Sequence, residues 1–263
     1  GRTCTIQTGS TYNANNVTVQ GTLIVNENIS TVINFYGNLL NNGTLTHDAL
    51  QGASIFPIQL HGGSNIVGGT GTWNTTTAGP YLYLAGNANY TLVNNVNGYA
   101  LNITTNATLS LDSYTYADNS TGSSFTQAGT LNLGTGTVEV SGSNMSFNAP
   151  TLNHQKGTFF FNRLAAGNIN FNLLDDDWYN VKMSTIAGNY ICFSVNMPIK
   201  NNFIINSANT EVRAQCAAEA IDVTVGGNWI NNGLWTRGTR GVIFNGNNKT
   251  IAQQVTGPNQ TTF

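Results

Sequence analysis

GTLNLGTGTVEVSG, residues 129–142, places Leu131, Leu133, Val138 and Val140 at every second position within two short runs separated by Gly-Thr-Gly. Alternation of this kind marks a strand with one face buried, and the glycines between the runs mark a turn. The run KGTFFFN (156–162) repeats the second half of the phrase, with Phe159 in the place of Val138. The period this implies, about 21 residues, is short for a unit with a core of its own and matches the repeat lengths of solenoids. It suits one coil of a β-solenoid, which buries its apolar residues only by stacking on the next coil.

Two further stretches bear on the period. GGNWINNGLW (226–235) and GNLLNNGTL (37–45) share an apolar pair followed by Asn-Asn-Gly, and their separation is close to nine such coils. GTLNLGTGTVEVSG also aligns with GLWTRGTRGVIFNG (233–246), matching Val138 to Val242 and Val140 to Phe244. Strands stacked about 4.8 Å apart would turn inward positions into columns, so one member each of Leu39/Leu40 and Trp229/Ile230 is expected inside. Asn-Asn-Gly would form the corner, with Asn side chains hydrogen-bonding along the stack and glycine supplying positive φ. The expected fold is therefore all-β, a β-solenoid read as a right-handed parallel β-helix with coils of about 21 residues. No convincing helix is found; Ala214–Ala220 is the nearest candidate and is short. Three segments are expected: irregular solenoid coils over 1–98, a middle repeat over 99–177 and a C-terminal repeat over 178–263.

Composition agrees with an ordered, uncharged β-protein. Charged residues make up 8% of the 263, with nine basic and eleven acidic side chains, against 12 Phe, 10 Tyr and 4 Trp. Disordered chains are poor in such aromatics. The charge balance gives no footprint for nucleic acid, and no run is long and apolar enough to insert in a membrane. Cys4, Cys192 and Cys216 are too few and too widely spaced for a disulfide framework. A single Cys192–Cys216 bridge and two separate buried thiols both fit.

The segment VGGNWINNGLWTRGTRGVIFNGNNKTIAQQVTGPNQTTF (225–263) carries Gly227-Asn228-Trp229, Asn231-Asn232-Gly233, Val242, Phe244-Asn245-Gly246 and Thr250-Ile251. WYNVKM (178–183) adds an aromatic followed by Tyr-Asn-x-x-Met. These motifs resemble the repeat region of large Bacteroidetes cell-surface adhesins exported by the type IX secretion system. The resemblance is strongest over the C-terminal third of the chain and weakens toward residues 46–98. It implies an extracellular, cell-surface, non-catalytic protein that forms a rod or filament segment. It also implies an end-to-end homo-oligomer, or continuation of the same long chain beyond Phe263, with surface glycans as a further partner.

Chemistry-bearing residues are sparse. Asp175-Asp176-Asp177 is the one dense acidic spot; a solvated turn before the strand at Trp178 is the first reading, and on such a turn its oxygens would also suit Ca²⁺, the only cofactor the residues suggest. A carbohydrate-active β-helix enzyme, a polysaccharide lyase or hydrolase, would need two placed carboxylates. A glycan-binding module would use aromatics such as Tyr81, Tyr83, Tyr114 and Tyr116. His47, His61 and His154 share no ligand spacing and are expected at solvent-facing or turn positions. Eleven Asn-x-Ser/Thr sequons, at Asn16, Asn28, Asn42, Asn74, Asn89, Asn102, Asn106, Asn119, Asn144, Asn248 and Asn259, are glycosylation sites in a host that modifies them. They keep a glycosylated archaeal surface fibre in reserve.

Overall fold

The computed structural model describes residues 2–6, 11–25, 32–47, 56–73, 80–118, 124–142, 144–147, 151–163, 170–171, 178–193, 196–214, 222–236 and 241–253. These hold 33 short strands and no helix. The Ala214–Ala220 candidate is a bend at Ala214 and otherwise lies outside the described residues. Every strand pairing is parallel, and neighbours in each sheet come from successive passes of the chain. The chain is a β-solenoid. Each turn contributes one strand to each of three sheets in rotation, so Thr3–Ile6, Thr11–Ala14 and Val17–Val19 begin three different sheets and Thr22–Val25 returns to the first.

Three sheets serve the N-terminal part. They are four strands from Thr3–Ile6 to Thr72–Trp73, seven from Thr11–Ala14 to Asn144–Phe147, and seven from Val17–Val19 to Leu152–Asn153. Three serve the C-terminal part. They are eight strands from Val96–Gly98 to Ile251–Gln253, four from Asn170–Phe171 to Leu234–Thr236, and three from Met197–Ile199 to Val242–Phe244. One apolar core runs from Val19 to Trp235 without a break.

The spacing of Val138 and Phe159 is a true stacking distance, for the two are register partners. Coil length varies around it. The step from Thr3 to its partner Thr22 is shorter, and the step from Thr44 to its partner Thr72 is longer. The inward file containing Val138 continues through Phe159, Val181, Phe203 and Trp229, all fully buried. Its aromatic members pack specifically: Phe203 lies nearly parallel to Trp229 with centroids 4.8 Å apart, and Trp235 meets Trp229 edge-on at 5.0 Å. Such contacts add to the burial of the rings themselves. As expected, one member of each adjacent pair points inward: Leu39 and Trp229 are buried, while Leu40 and Ile230 are only half-buried.

The corners explain the abundance of Asn and Gly. Asn16 Oδ1 accepts the N–H of Asn38 at 2.8 Å, and Asn38 Oδ1 accepts that of Ile66 at 3.0 Å. At another corner Asn180, Asn202 and Asn228 pass the same bond upward, from the N–H of Asn202 at 3.3 Å to those of Asn228 at 3.0 Å and Thr250 at 2.9 Å. These bonds tie corner amides that strand pairing leaves over. Gly21, Gly43 and Gly71 form a file at one corner. A Cβ on Gly43 would lie 2.0 Å from the carbonyl oxygen of Gly21, and one on Gly71 would lie 2.3 Å from that of Gly43. Only glycine fits where successive backbones approach so closely.

Two expectations about phase are corrected. The Asn-Asn-Gly phrases do not stack on one another. Asn41 ends strand Leu39–Asn41 of a seven-stranded sheet, whereas Asn231 ends strand Trp229–Asn231 of the eight-stranded sheet. Val242 likewise belongs to the three-stranded sheet and pairs with Val223, not with the file of Val138. The phrase encodes a corner rather than a position in the coil. In both copies the first Asn is fully buried, and its Oδ1 accepts the N–H of the glycine that closes the phrase, at 3.2 Å from Gly43 and 2.9 Å from Gly233. Gln127 occupies the matching inward site at the end of Ser124–Gln127, where its Nε2 donates to the carbonyls of Gly129 and Thr151 at 3.2 and 3.0 Å. One local device thus serves turns between different pairs of sheets.

Candidate functional surface

The expected calcium ligands Asp175, Asp176 and Asp177 lie outside the described residues. Among the described residues no three His, Cys, Asp or Glu side chains converge to hold a metal ion, and no helix is long and apolar enough to cross a membrane. Cys4 is exposed and free; Cys192 is buried and disulfide-bonded, and Cys216 lies outside the described residues.

Of the sequon asparagines, Asn16, Asn42, Asn89, Asn106 and Asn248 are exposed. Asn106 and Asn248 adopt left-handed turns, with φ of 68° and 54°. Asn102 is half-buried, and its Nδ2 donates to the Tyr81 hydroxyl at 3.0 Å. Asn144 lies on a described strand, while Asn28, Asn74, Asn119 and Asn259 fall outside the described residues.

The histidines divide. His47 ends strand Thr44–His47, and His61 is half-buried at a strand end. His154 takes one of the expected turn positions, its carbonyl accepting the N–H of Gly157 at 2.7 Å, but its side chain is buried, with the ring centroid 5.2 Å from that of Trp178. The four tyrosines divide as well. Tyr81 and Tyr83 are half-buried on the outer side of their strand, and Tyr114 packs partly against the core. Tyr116 is fully buried, because Gly98 beneath it leaves room for the ring and its hydroxyl donates to the Ala100 carbonyl at 2.9 Å. Burial first, and then the nearby Asp118 and Tyr81, push its pKa well above the ordinary tyrosine value.

The most developed surface is the outer face of the seven-stranded sheet that starts at Thr11–Ala14. Its alternation sends Ile33, Ile58, Leu82 and Leu101 into the core. The positions beside them form an outward file in register: Asn13, Asn34, Gln59, Tyr83, Asn102 and Thr126. At the lower end Asn34 Nδ2 donates to Asn13 Oδ1 at 2.8 Å, and Asn34 Oδ1 lies 3.1 Å from His61 Nε2. The ring of Tyr36, which is 47% exposed, stacks on His61 with centroids 4.9 Å apart. At the upper end Asn102 is committed to Tyr81, whose ring meets that of Tyr83 edge-on at 6.1 Å. Burial raises the Tyr81 pKa, the bond from Asn102 partly opposing it. Between these two bonded ends sit Gln59 and Tyr83. Both are partly exposed, and neither polar head makes a hydrogen bond among the described residues. The surrounding chain is unusually neutral: residues 49–111 contain no Asp, Glu, Lys or Arg.

A contrasting cluster lies on the four-stranded sheet near the C-terminus. Arg213 Nε donates to Glu211, its guanidinium lies 3.5 Å from the Tyr190 centroid, and Thr236 Oγ1 donates to Glu211 at 3.3 Å. The bond to Glu211 raises the arginine pKa further. These groups satisfy one another and leave little for a ligand.

The sequence spacing missed Gln59, Tyr36 and His61 because the coils here are long. The steps from Asn34 to Gln59 and from Gln59 to Tyr83 both exceed the one from Val138 to Phe159, so a strict repeat of the shorter step does not bring them into line.

No known family matches the chain, nor does any curated protein or solved structure.

Proposed function

We propose that this solenoid is a non-catalytic extracellular rod segment of an adhesive cell-surface protein, of the kind its C-terminal motifs resemble. The observation that carries this reading is the continuous core from Val19 to Trp235, in which stacked inward files fill the interior and leave function to the outer faces. A parallel stack of this kind is stiff along its axis and presents the same outward positions coil after coil. The disulfide at Cys192 supports an oxidising compartment such as the cell exterior. Few charged side chains on stacked strands avoid like-charge repulsion at the inter-strand spacing. End-to-end association with a second copy, or with a following segment of the same chain, would cover Ile251, which is 52% exposed at the top of the file formed by Phe203 and Trp229.

The test is attachment. Beads coated with the chain are incubated on polysaccharide-coated and on bare surfaces under flow, and soluble products are assayed in parallel. Retention of beads without release of sugar fragments is the expected result. Failure of coated beads to attach overturns the adhesive reading, and fragment release replaces it with an enzyme.

A further inference from the structure

We propose that Gln59 and Tyr83 form the centre of a binding track for a neutral polysaccharide lying along the solenoid axis. The proposal rests on the adhesive reading and gives it a ligand class.

Three observations converge on this face. The first is hydrogen-bonding capacity. Asn34 and the Nδ2 of Asn102 bond protein partners at either end of the file, whereas the Gln59 amide and the Tyr83 hydroxyl between them are uncommitted among the described residues and partly exposed. A carboxamide offers one acceptor and two donors, and a phenol offers one of each. That set matches the paired hydroxyls of a sugar without requiring charge.

The second is aromatic surface. Tyr83, its edge-on neighbour Tyr81 and the stacked Tyr36–His61 pair place rings on both sides of Gln59. Aromatic rings combine broad apolar contact with a polar edge, which suits the C–H face of a pyranose. The third is charge. No Asp, Glu, Lys or Arg occurs from residue 49 to residue 111, so a chain laid over these coils meets neither attraction for carboxylates or sulfates nor the cost of covering an unpaired ion.

Geometry sets the direction. Register partners in one file repeat at the inter-strand spacing of about 4.8 Å along the axis. That is close to the advance per sugar in an extended β-linked glycan, so successive sugars would meet successive coils. A chain running parallel to the strands would leave the file after one contact.

The experiment is affinity electrophoresis of the full chain through gels containing xyloglucan, galactomannan or hydroxyethyl cellulose, with alginate and polygalacturonate as acidic counterparts. Wild-type protein is expected to be retarded by at least one neutral polymer and by neither acidic one. Tyr83→Ala and Gln59→Ala should each weaken retardation about tenfold, the equivalent of one well-made contact. Thr18→Ala, at an exposed site on another sheet, should leave it unchanged. Thermal unfolding and sedimentation of each variant accompany the gels. The proposal is overturned by absence of retardation in all neutral gels, by stronger retardation in the acidic gels, or by unchanged retardation of both file variants. It is also overturned if the variants alter sedimentation instead of retardation, since the face would then join copies of the chain. Should coated beads attach as well with Tyr83→Ala as with wild type, this track is wrong while the adhesive reading stands; should wild-type beads fail to attach, the broader reading is wrong.

Discussion

Asn231 accepts the amide hydrogen of Gly233 at 2.9 Å from a site fully shielded from solvent, directly above Ile205 in an inward file. A polar side chain there offsets the cost of its burial in part by closing the corner from inside. Asn231→Ala removes the acceptor, leaves the Gly233 N–H without it and opens a small void. A loss of about 1–3 kcal/mol is expected, read as a lowered midpoint in urea with unchanged slope. Asn231→Leu should be no better, because the missing acceptor and not the missing volume dominates. Recovery of wild-type stability by the leucine variant would show that the corner does not depend on this bond.

Trp229 is fully buried at this end of the rod, in ring contact with Phe203 and Trp235. Trp229→Ala should cost about 3–5 kcal/mol, within the range for buried aromatics. Trp229→Phe should recover most of it, since a stacked ring remains over Phe203. Equal destabilisation by both variants in calorimetry would mean that the file is not packed as described.

How far the fold is legible in the sequence depends on the kind of signal. Alternation is local, so Leu131, Leu133, Val138 and Val140 are legible as buried positions without any knowledge of coil length, whereas for Leu39/Leu40 and Trp229/Ile230 it says only that one of each pair turns inward. Phase is not local. It survives where coils are uninterrupted, as between Val138 and Phe159, and is lost where an excursion lengthens a coil, as between Asn42 and Thr70, whose hydrogen bond spans a longer step. Asn-Asn-Gly misleads in a different way, because the energetic demand it answers, a satisfied amide at a tight inward corner, arises at more than one corner of each coil. Tyr116 shows a third limit. Its inward position depends on the glycine at 98, one coil earlier, and alternation around Tyr114 and Tyr116 alone places both on the same face. The outer file through Gln59 and Tyr83 emerges only when variable coil lengths are laid in register.

A glycine file fixes how closely coils approach. Gly43→Ala would drive a Cβ to 2.0 Å from the Gly21 carbonyl oxygen, an overlap relieved only by moving backbone. It should destabilise more than Gly63→Ala, where a Cβ meets nothing within 4 Å. Comparison of the two melting temperatures checks this, and equal values would contradict the close approach.

Buried tyrosines make the protein sensitive to alkali. Desolvation pushes the Tyr90 pKa up to about 12 from 10.0, while its hydroxyl donates to the Gly37 carbonyl at 2.8 Å. A folded-state pKa above the unfolded one means that the native chain holds this proton more tightly. The associated stability is complete below about pH 10 and is lost as pH rises toward about 12, by up to about 3 kcal/mol. Tyr116 acts in the same direction. Unfolding midpoints measured from about pH 9 to about pH 12, the range that brackets phenol ionisation, should fall for wild type and fall less for Tyr90→Phe. Parallel declines would remove Tyr90 from the explanation.

The stacking register is tested most directly by crosslinking across one coil. Ser110 and Asn132 are register partners, with Asn132 Nδ2 donating to Ser110 Oγ at 3.1 Å. In a Cys4→Ser background, Ser110→Cys with Asn132→Cys should oxidise to an intramolecular disulfide, since parallel neighbours lie within the Cα separation such a bond tolerates. The shifted pair Ser110→Cys with Thr108→Cys shares one strand and should stay reduced under the same oxidant. Rapid closure in the first pair alone is the outcome that stacked coils require; a first pair that stays reduced, or that links only between molecules, would contradict the solenoid.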